Sequence, residues 1–224
     1  MANEIDKRHD REIDRLIAAG LIALRKAFGA LFLLRLLQLT FRQPILNEDR
    51  QRVIAILQSE LSERTAIDGS IYRVIAESIR KAGPDVVNYE LTVADEYGLI
   101  LSSRLDRAQE QLIHQIDRSM TEAVLQEESR SDVSTTVFGI LSQHSAFKRV
   151  MAYDTARAYN LQLLARLLES NAEFLRIRLS DEHTVTDICD QLVGVFLVSE
   201  ITGPPYRRLP PFHPFCNCYV TPFK

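Results

Sequence analysis

KRVMAYDTARAYNLQLLARLLESNAEFLRIRLS, residues Lys148 to Ser180, contains the change of period on which the fold turns. Up to Leu168, Val150, Tyr153, Ala156, Arg157, Asn160, Leu164 and Leu168 return at three- and four-residue steps. That is helical spacing, with core and polar positions mixed on it. After Asn171 the step drops to two, and FLRIRLS alternates apolar with polar residues as a half-buried strand does. A helix over 145–170 followed by a strand over 174–180 therefore divides a helical part from a mixed one.

Upstream, helical period persists. Ile13, Leu16, Ile17, Leu21, Leu24, Phe28, Leu31, Leu34 and Leu39 follow it, while Ile22, Phe32, Leu33, Leu36 and Leu37 fall elsewhere around the wheel. A helix apolar on nearly every side is buried on several faces or shared with another chain. Pro44 ends it, and from Arg15 to Arg42 there are five basic residues and no acidic one. A second helix, NEDRQRVIAILQSELSERT, is expected behind an Asn47 N-cap, and a third over 68–81 stopping at Gly83-Pro84. One long periodic region spans 91–128, the polar EESRSDVS (Glu127 to Ser134) reads as a loop, and another helix covers 133–143.

Downstream, GVFLVSEI (Gly194 to Ile201) and NCYVTPF are strand candidates, and GPPYRRLPPFHP (Gly203 to Pro214) is a proline-rich loop. The expected fold is mainly α with a small C-terminal α+β module. A helical region over 1–128 joins a short-stranded, proline-rich Cys/His end over 129–224, with the boundary anywhere from 129 to 145.

Composition bounds the class. With 224 residues, 46% hydrophobic and 25% charged, the chain is neither disordered nor fibrous. A net charge of −3 argues against a DNA-coating protein and leaves DNA contact to a local patch, for which Arg207–Arg208 is the candidate. Arg25, Lys26 and Arg35 interrupt the oily stretch from Leu16 to Leu39, so no stable membrane span is expected. Nor does a stretch that opens with mixed charge and keeps arginines inside suit a signal peptide. A soluble protein is the reading.

Three cysteines cannot form a disulfide framework, yet Cys189, Cys216 and Cys218 all lie in the last 36 residues. With His213 they supply three thiols and one imidazole, the donor set of a structural zinc site. His183 and Asp187 are additional candidate ligands, or partners that orient the imidazole. A reduced, hydrogen-bonded thiol cluster and a redox or catalytic thiol are the other readings. No HExxH pairing, GxGxxG or phosphate-binding loop is present, nothing marks an oxyanion hole, and no catalytic residue is assigned. His9, His114 and His144 read as ordinary surface or core residues.

At KRVMAYDTARAYN (Lys148 to Asn160), FLRIRLSDEHTVTDICD (Phe174 to Asp190) and LPPFHPFCNCYVTP (Leu209 to Pro222), the chain resembles the Mu F-type phage head morphogenesis, or minor head protein, family. The shared order is a helix with a polar centre, a strand, a D-x-C-D turn and a terminal PPxHPxCxC element. Many members carry a tryptophan in the strand and a basic residue between the last two cysteines; here there is no tryptophan, and Asn217 stands between them. The resemblance implies a virion structural protein rather than an enzyme. It would work with the portal and major capsid proteins during procapsid assembly or DNA packaging, located in the phage head and, during assembly, in the host cytoplasm. The first 128 residues lie outside it, and self-association or docking through residues 13–43 is their expected role. Two other classes are a cysteine- or metal-dependent enzyme and a membrane-active DNA-ejection protein using the basic N-terminal helix.

Overall fold

Every residue from Val150 to Asn160 is buried, so the helix that carries them is enclosed on all sides. It is the axis of the molecule. The structure, a computed structural model, describes residues 2–28, 45–83, 88–90, 93–95, 97–179, 187–202, 208–213, 216 and 218–223. In chain order these form α1 (Ala2–Phe28), α2 (Asn47–Thr65), α3 (Ser70–Ala82), α4 (Leu101–Leu125), α5 (Arg130–Gln143), α6 (Ser145–Glu169), β1 (Phe174–Arg178), α7 (Ile188–Leu192), β2 (Gly194–Leu197), α8 (Val198–Ile201) and β3 (Tyr219–Pro222). The protein is mainly helical, with one small antiparallel sheet near its C-terminus and Cys/His residues at the end.

α6 packs against α1, α3 and α4 and, near its middle, against β3; α2 packs against α4, and α5 lies along α4. Gly20 permits the close approach of α1, since a Cβ there would stand 2.7 Å from Met151 Sδ and 3.0 Å from Ser78 Oγ. The expected division near residue 128 falls in the turn between α4 and α5. Buried apolar residues on both sides of it, from Ile13 to Val220, join one cluster.

Local chemistry explains where the boundaries differ from the pattern. α1 begins well before Ile13, where Glu, Lys and Arg residues favour helix and His9 Nδ1 lies 2.7 Å from the Tyr159 hydroxyl. The expected continuation over 29–43 and its stop at Pro44 lie outside the described residues. Leu46, not Asn47, is the N-cap of α2: the Asp49 carboxylate accepts the Leu46 N–H at 3.1 Å, while Asn47 Oδ1 accepts from Arg50 at 3.0 Å. α3 ends as expected, at Gly83 with φ of 135°.

The region over 91–128 is not one helix. Asp95 Oδ1 accepts the N–H groups of Tyr97 and Leu99, both at 2.9 Å, and Gly98 has φ of 79°. That side-chain-closed turn delays α4 to Leu101. α5 starts within the segment expected as a loop, at Arg130, because Ser129 Oγ accepts the Asp132 N–H and caps it.

The sheet order is β2-β1-β3, with Leu175 opposite Phe196 and Pro222, and Ile177 opposite Gly194 and Val220. Leu175 and Ile177 point inward to the cluster, and Phe174, Arg176 and Arg178 lie on the outer face. The expected strand over 194–201 stops at Leu197. Val198 and Ile201, three apart and both buried, require helical rather than strand spacing, and they form α8.

Candidate metal centre

α6 presents polar side chains around its whole circumference, and each goes to a different neighbour. Asp154, wholly buried, accepts from Arg104 Nε at 3.2 Å through Oδ2; its Oδ1 accepts a second Arg104 bond and the Tyr89 hydroxyl at 2.6 Å. Burial is the largest single influence and acts to lower the Arg104 pKa, but the Asp154 charge, Tyr89 and the hydrogen bond to Asp154 together outweigh it, so the net shift is upward and the guanidinium stays charged. Burial, then the Asp154 charge, pushes the Tyr89 hydroxyl well above its ordinary value. Thr155 Oγ1 lies 2.8 Å from Ser78 Oγ on α3.

The next turns of α6 face the C-terminal segments. Arg157 Nη1 donates to the Pro211 carbonyl at 3.5 Å. Asn160 Nδ2 donates to the Cys218 carbonyl at 2.9 Å, and Asn160 Oδ1 accepts the Val220 N–H at 3.0 Å. These bonds seat LPPF (Leu209 to Phe212), buried throughout, and the start of β3 against the helix. Buried polar groups must be paired, and here the pairs position the cysteine segments.

The three cysteines come together from α7 and the C-terminal segment. Cys189, Cys216 and Cys218 are all buried, with sulfurs within 4.8 Å of one another. Cys189 Sγ is 3.4 Å from Cys216 Sγ, close to the roughly 3.8 Å expected between two thiolates on one tetrahedral zinc. Thiol hydrogen bonds from Cys189 and Cys218 hold the Cys216 thiol well below its ordinary value, with backbone bonds from Phe212 and Cys218 assisting against burial. Cys189 goes the other way, as the donor to Cys216 and by burial. A thiol whose ionisation is favoured in this way, flanked by two more sulfurs, is a receptor for a soft cation.

A second group shares Cys189. Asp187, Cys189 and His213 also place one ligand atom each within 4.8 Å of one another. Asp187 Oδ1 accepts the Cys189 N–H at 2.7 Å and caps α7, while Oδ2 lies 2.9 Å from His213 Nε2. Asp190 completes the turn by accepting the Asp187 N–H at 2.8 Å. Asp187 thus stands where a carboxylate orients an imidazole, as one of its two expected roles requires. Cys189 is thus shared by two groups, one with Cys216 and Cys218 and one with Asp187 and His213, and the expected set of three thiols and one imidazole is divided between them; His183 lies outside the described residues. Both groups have the donor chemistry to hold a metal ion.

Sequence reading left Arg104, Asp154, Arg157 and Asn160 without functions. Arg157 and Asn160 were visible as polar residues on a helical path, but their partners are more than fifty residues away. No protein-family model matches the chain, and no curated protein and no solved structure matches it. Fold and site define a mainly helical protein whose C-terminal sheet and thiol-rich end are fastened to one central helix.

Proposed function

We propose that this chain is a virion assembly protein of the phage minor-head type, acting with the portal and major capsid proteins, and that its Cys/His end holds a structural zinc. The observation that carries the reading is the meeting of the three segments on which the resemblance rests. Arg157 and Asn160 of the first reach Pro211 and Cys218 of the third. Cys189 of the second meets Cys216 of the third. Segments separated in sequence but sharing one cluster are what a conserved module would need.

Zinc suits three thiols and an imidazole better than harder cations do, and closed ligation would leave the ion a structural rather than a catalytic role. A fixed end would let the helical part, through residues 13–43 above all, serve as the docking or self-association element. Among the described residues no helix is long and apolar enough to cross a membrane.

The test is to purify heads from cells producing the whole particle and look for this chain by mass spectrometry. Expected is co-sedimentation with portal-containing heads at a few copies each, with one zinc per chain in the isolated protein. Absence from both procapsids and mature heads would overturn the assembly reading. Metal-free protein whose melting ignores chelator would overturn the zinc.

A further inference from the structure

Arg104, Arg107, Ala108 and Gln111 recur at helical steps along α4, facing Ala146, Arg149, Val150 and Tyr153 on α6 at matching steps. The small side chains of Ala108 on α4 and Ala146 on α6 leave a gap between the helices. The result is a cleft of about 150 Å³, bounded at its ends by the Asp95 turn and by Phe212 and His213. That volume is close to the roughly 150 Å³ cavity that takes up one benzene ring. The cleft's floor and walls are apolar: Leu99, Ala108, Ala146, Val150, Tyr153 and Phe212.

Its rim is cationic. Arg104 is spent inward on Asp154 and the Leu99 carbonyl. Arg107 and Arg149 are exposed; Arg107 lies over the Tyr97 ring at 5.9 Å, and Arg149 donates to Gln111 at 3.0 Å. Among the described residues neither makes an ion pair with a carboxylate. The lining acid, Asp95, has Oδ1 occupied by the turn. An apolar slot under two arginines that make no ion pair among the described residues, with Asp95 as the lining acid held in its own turn, is complementary to a ring or branched side chain next to a negative charge.

We propose that this cleft is a docking site for a segment of a partner protein. The segment places one large apolar side chain between α4 and α6 and a carboxylate between Arg107 and Arg149. A nucleic-acid backbone is the poorer fit, because phosphates gain nothing from an apolar floor and the chain as a whole carries −3. The site goes beyond the assembly reading and stands or falls without it, since neither metal nor particle enters the test.

The probe is N-acetyl-phenylalanine, a ring and a carboxylate in one small molecule, titrated into the full chain and followed by nitrogen-15 amide shifts. Expected are saturable shifts confined to residues 97–111, 146–153 and 212–213, with a dissociation constant on the order of millimolar. N-acetyl-phenylalanine amide should bind about tenfold more weakly, as should the acid to the Arg107→Gln/Arg149→Gln double variant. Both arginines are exposed, so that variant folds; Arg118→Gln, also exposed on α4 but outside the cleft, should bind like the parent. Equal affinity for acid and amide would overturn the proposal. So would saturable shifts elsewhere, no saturable shift, or adenosine monophosphate binding more tightly than N-acetyl-phenylalanine.

Discussion

The helical body and the Cys/His end are held by different means. In the body, rows such as Leu57, Leu61, Ile75, Ile79, Leu105, Ile116 and Phe147 are wholly buried, and apolar area removed from water is the main source of cohesion. The end has three strands of four or five residues, too small a sheet to stand alone. It joins the body's apolar cluster through Leu175, Ile177, Leu209 and Val220, and what sets it apart is the added attachment by a few polar bonds from α6 and by its own thiols. A body of this kind loses stability gradually as contacts are removed, whereas an end of this kind should fail locally when one attachment is cut.

The largest break should come at the exception within the body. Asp154→Ala leaves Arg104 charged and unpaired in the interior and should cost about 3–5 kcal/mol of global stability by urea unfolding. The Asp154→Leu/Arg104→Met double variant should recover most of that loss. A cost below about 1 kcal/mol would mean that the pair does not fasten α4 to α6.

At the end, Cys216→Ser should abolish metal uptake. It should remove the stabilisation metal confers, about 2.7 kcal/mol when free metal stands a hundredfold above its dissociation constant. Limited proteolysis should then cut within 187–223 while helical circular dichroism persists. Loss of helix in step with the sheet would erase the contrast between the two regions.

Asn160→Leu sharpens the contrast further. It orphans the buried Val220 N–H and Cys218 carbonyl, at roughly 1–3 kcal/mol per group. Hydrogen exchange should rise at β3 before it rises in α1 or α3; uniform acceleration would show that the end has no independence.

The smallest effect concerns pH. His144 is buried between α5 and α6, stacked on Phe28 at 4.7 Å, and burial lowers its pKa below the ordinary 6.5. The unfolded chain therefore takes up a proton first. Stability from this site is full above pH 6.5 and declines as pH falls toward the lower folded value. His144→Asn, which tolerates the left-handed φ of 33° at that position, should flatten the slope of urea midpoints between pH 7.5 and 5.5. An unchanged slope would assign the acid sensitivity elsewhere.

The change of period after Asn171 made the helix–strand division legible, and residue type alone gathered Cys189, His213, Cys216 and Cys218 into one candidate set. Position along the chain could not do more. The Asp95 turn sits in a stretch whose apolar spacing still passes for helix, and only closure by its own carboxylate reveals the break. Val198 continues the apolar run that begins at Val195, but with Ile201 the side that must be buried changes there. Asp154 and Arg104 are fifty residues apart, so nothing local marks them as partners. Asp187 was visible as an acid near a cysteine; its division between capping α7 and contacting His213 depends on how the two segments meet.

Asn160 does more than attach β3. Its amide accepts the Val220 N–H and donates to the Cys218 carbonyl, one donor and one acceptor as a neighbouring strand would offer to that edge. A single helical side chain therefore stands in for a fourth strand. It closes the β3 side of the sheet to edge-to-edge pairing with another molecule, a common start of aggregation in small sheets, and any chain that extended this sheet would have to add at β2.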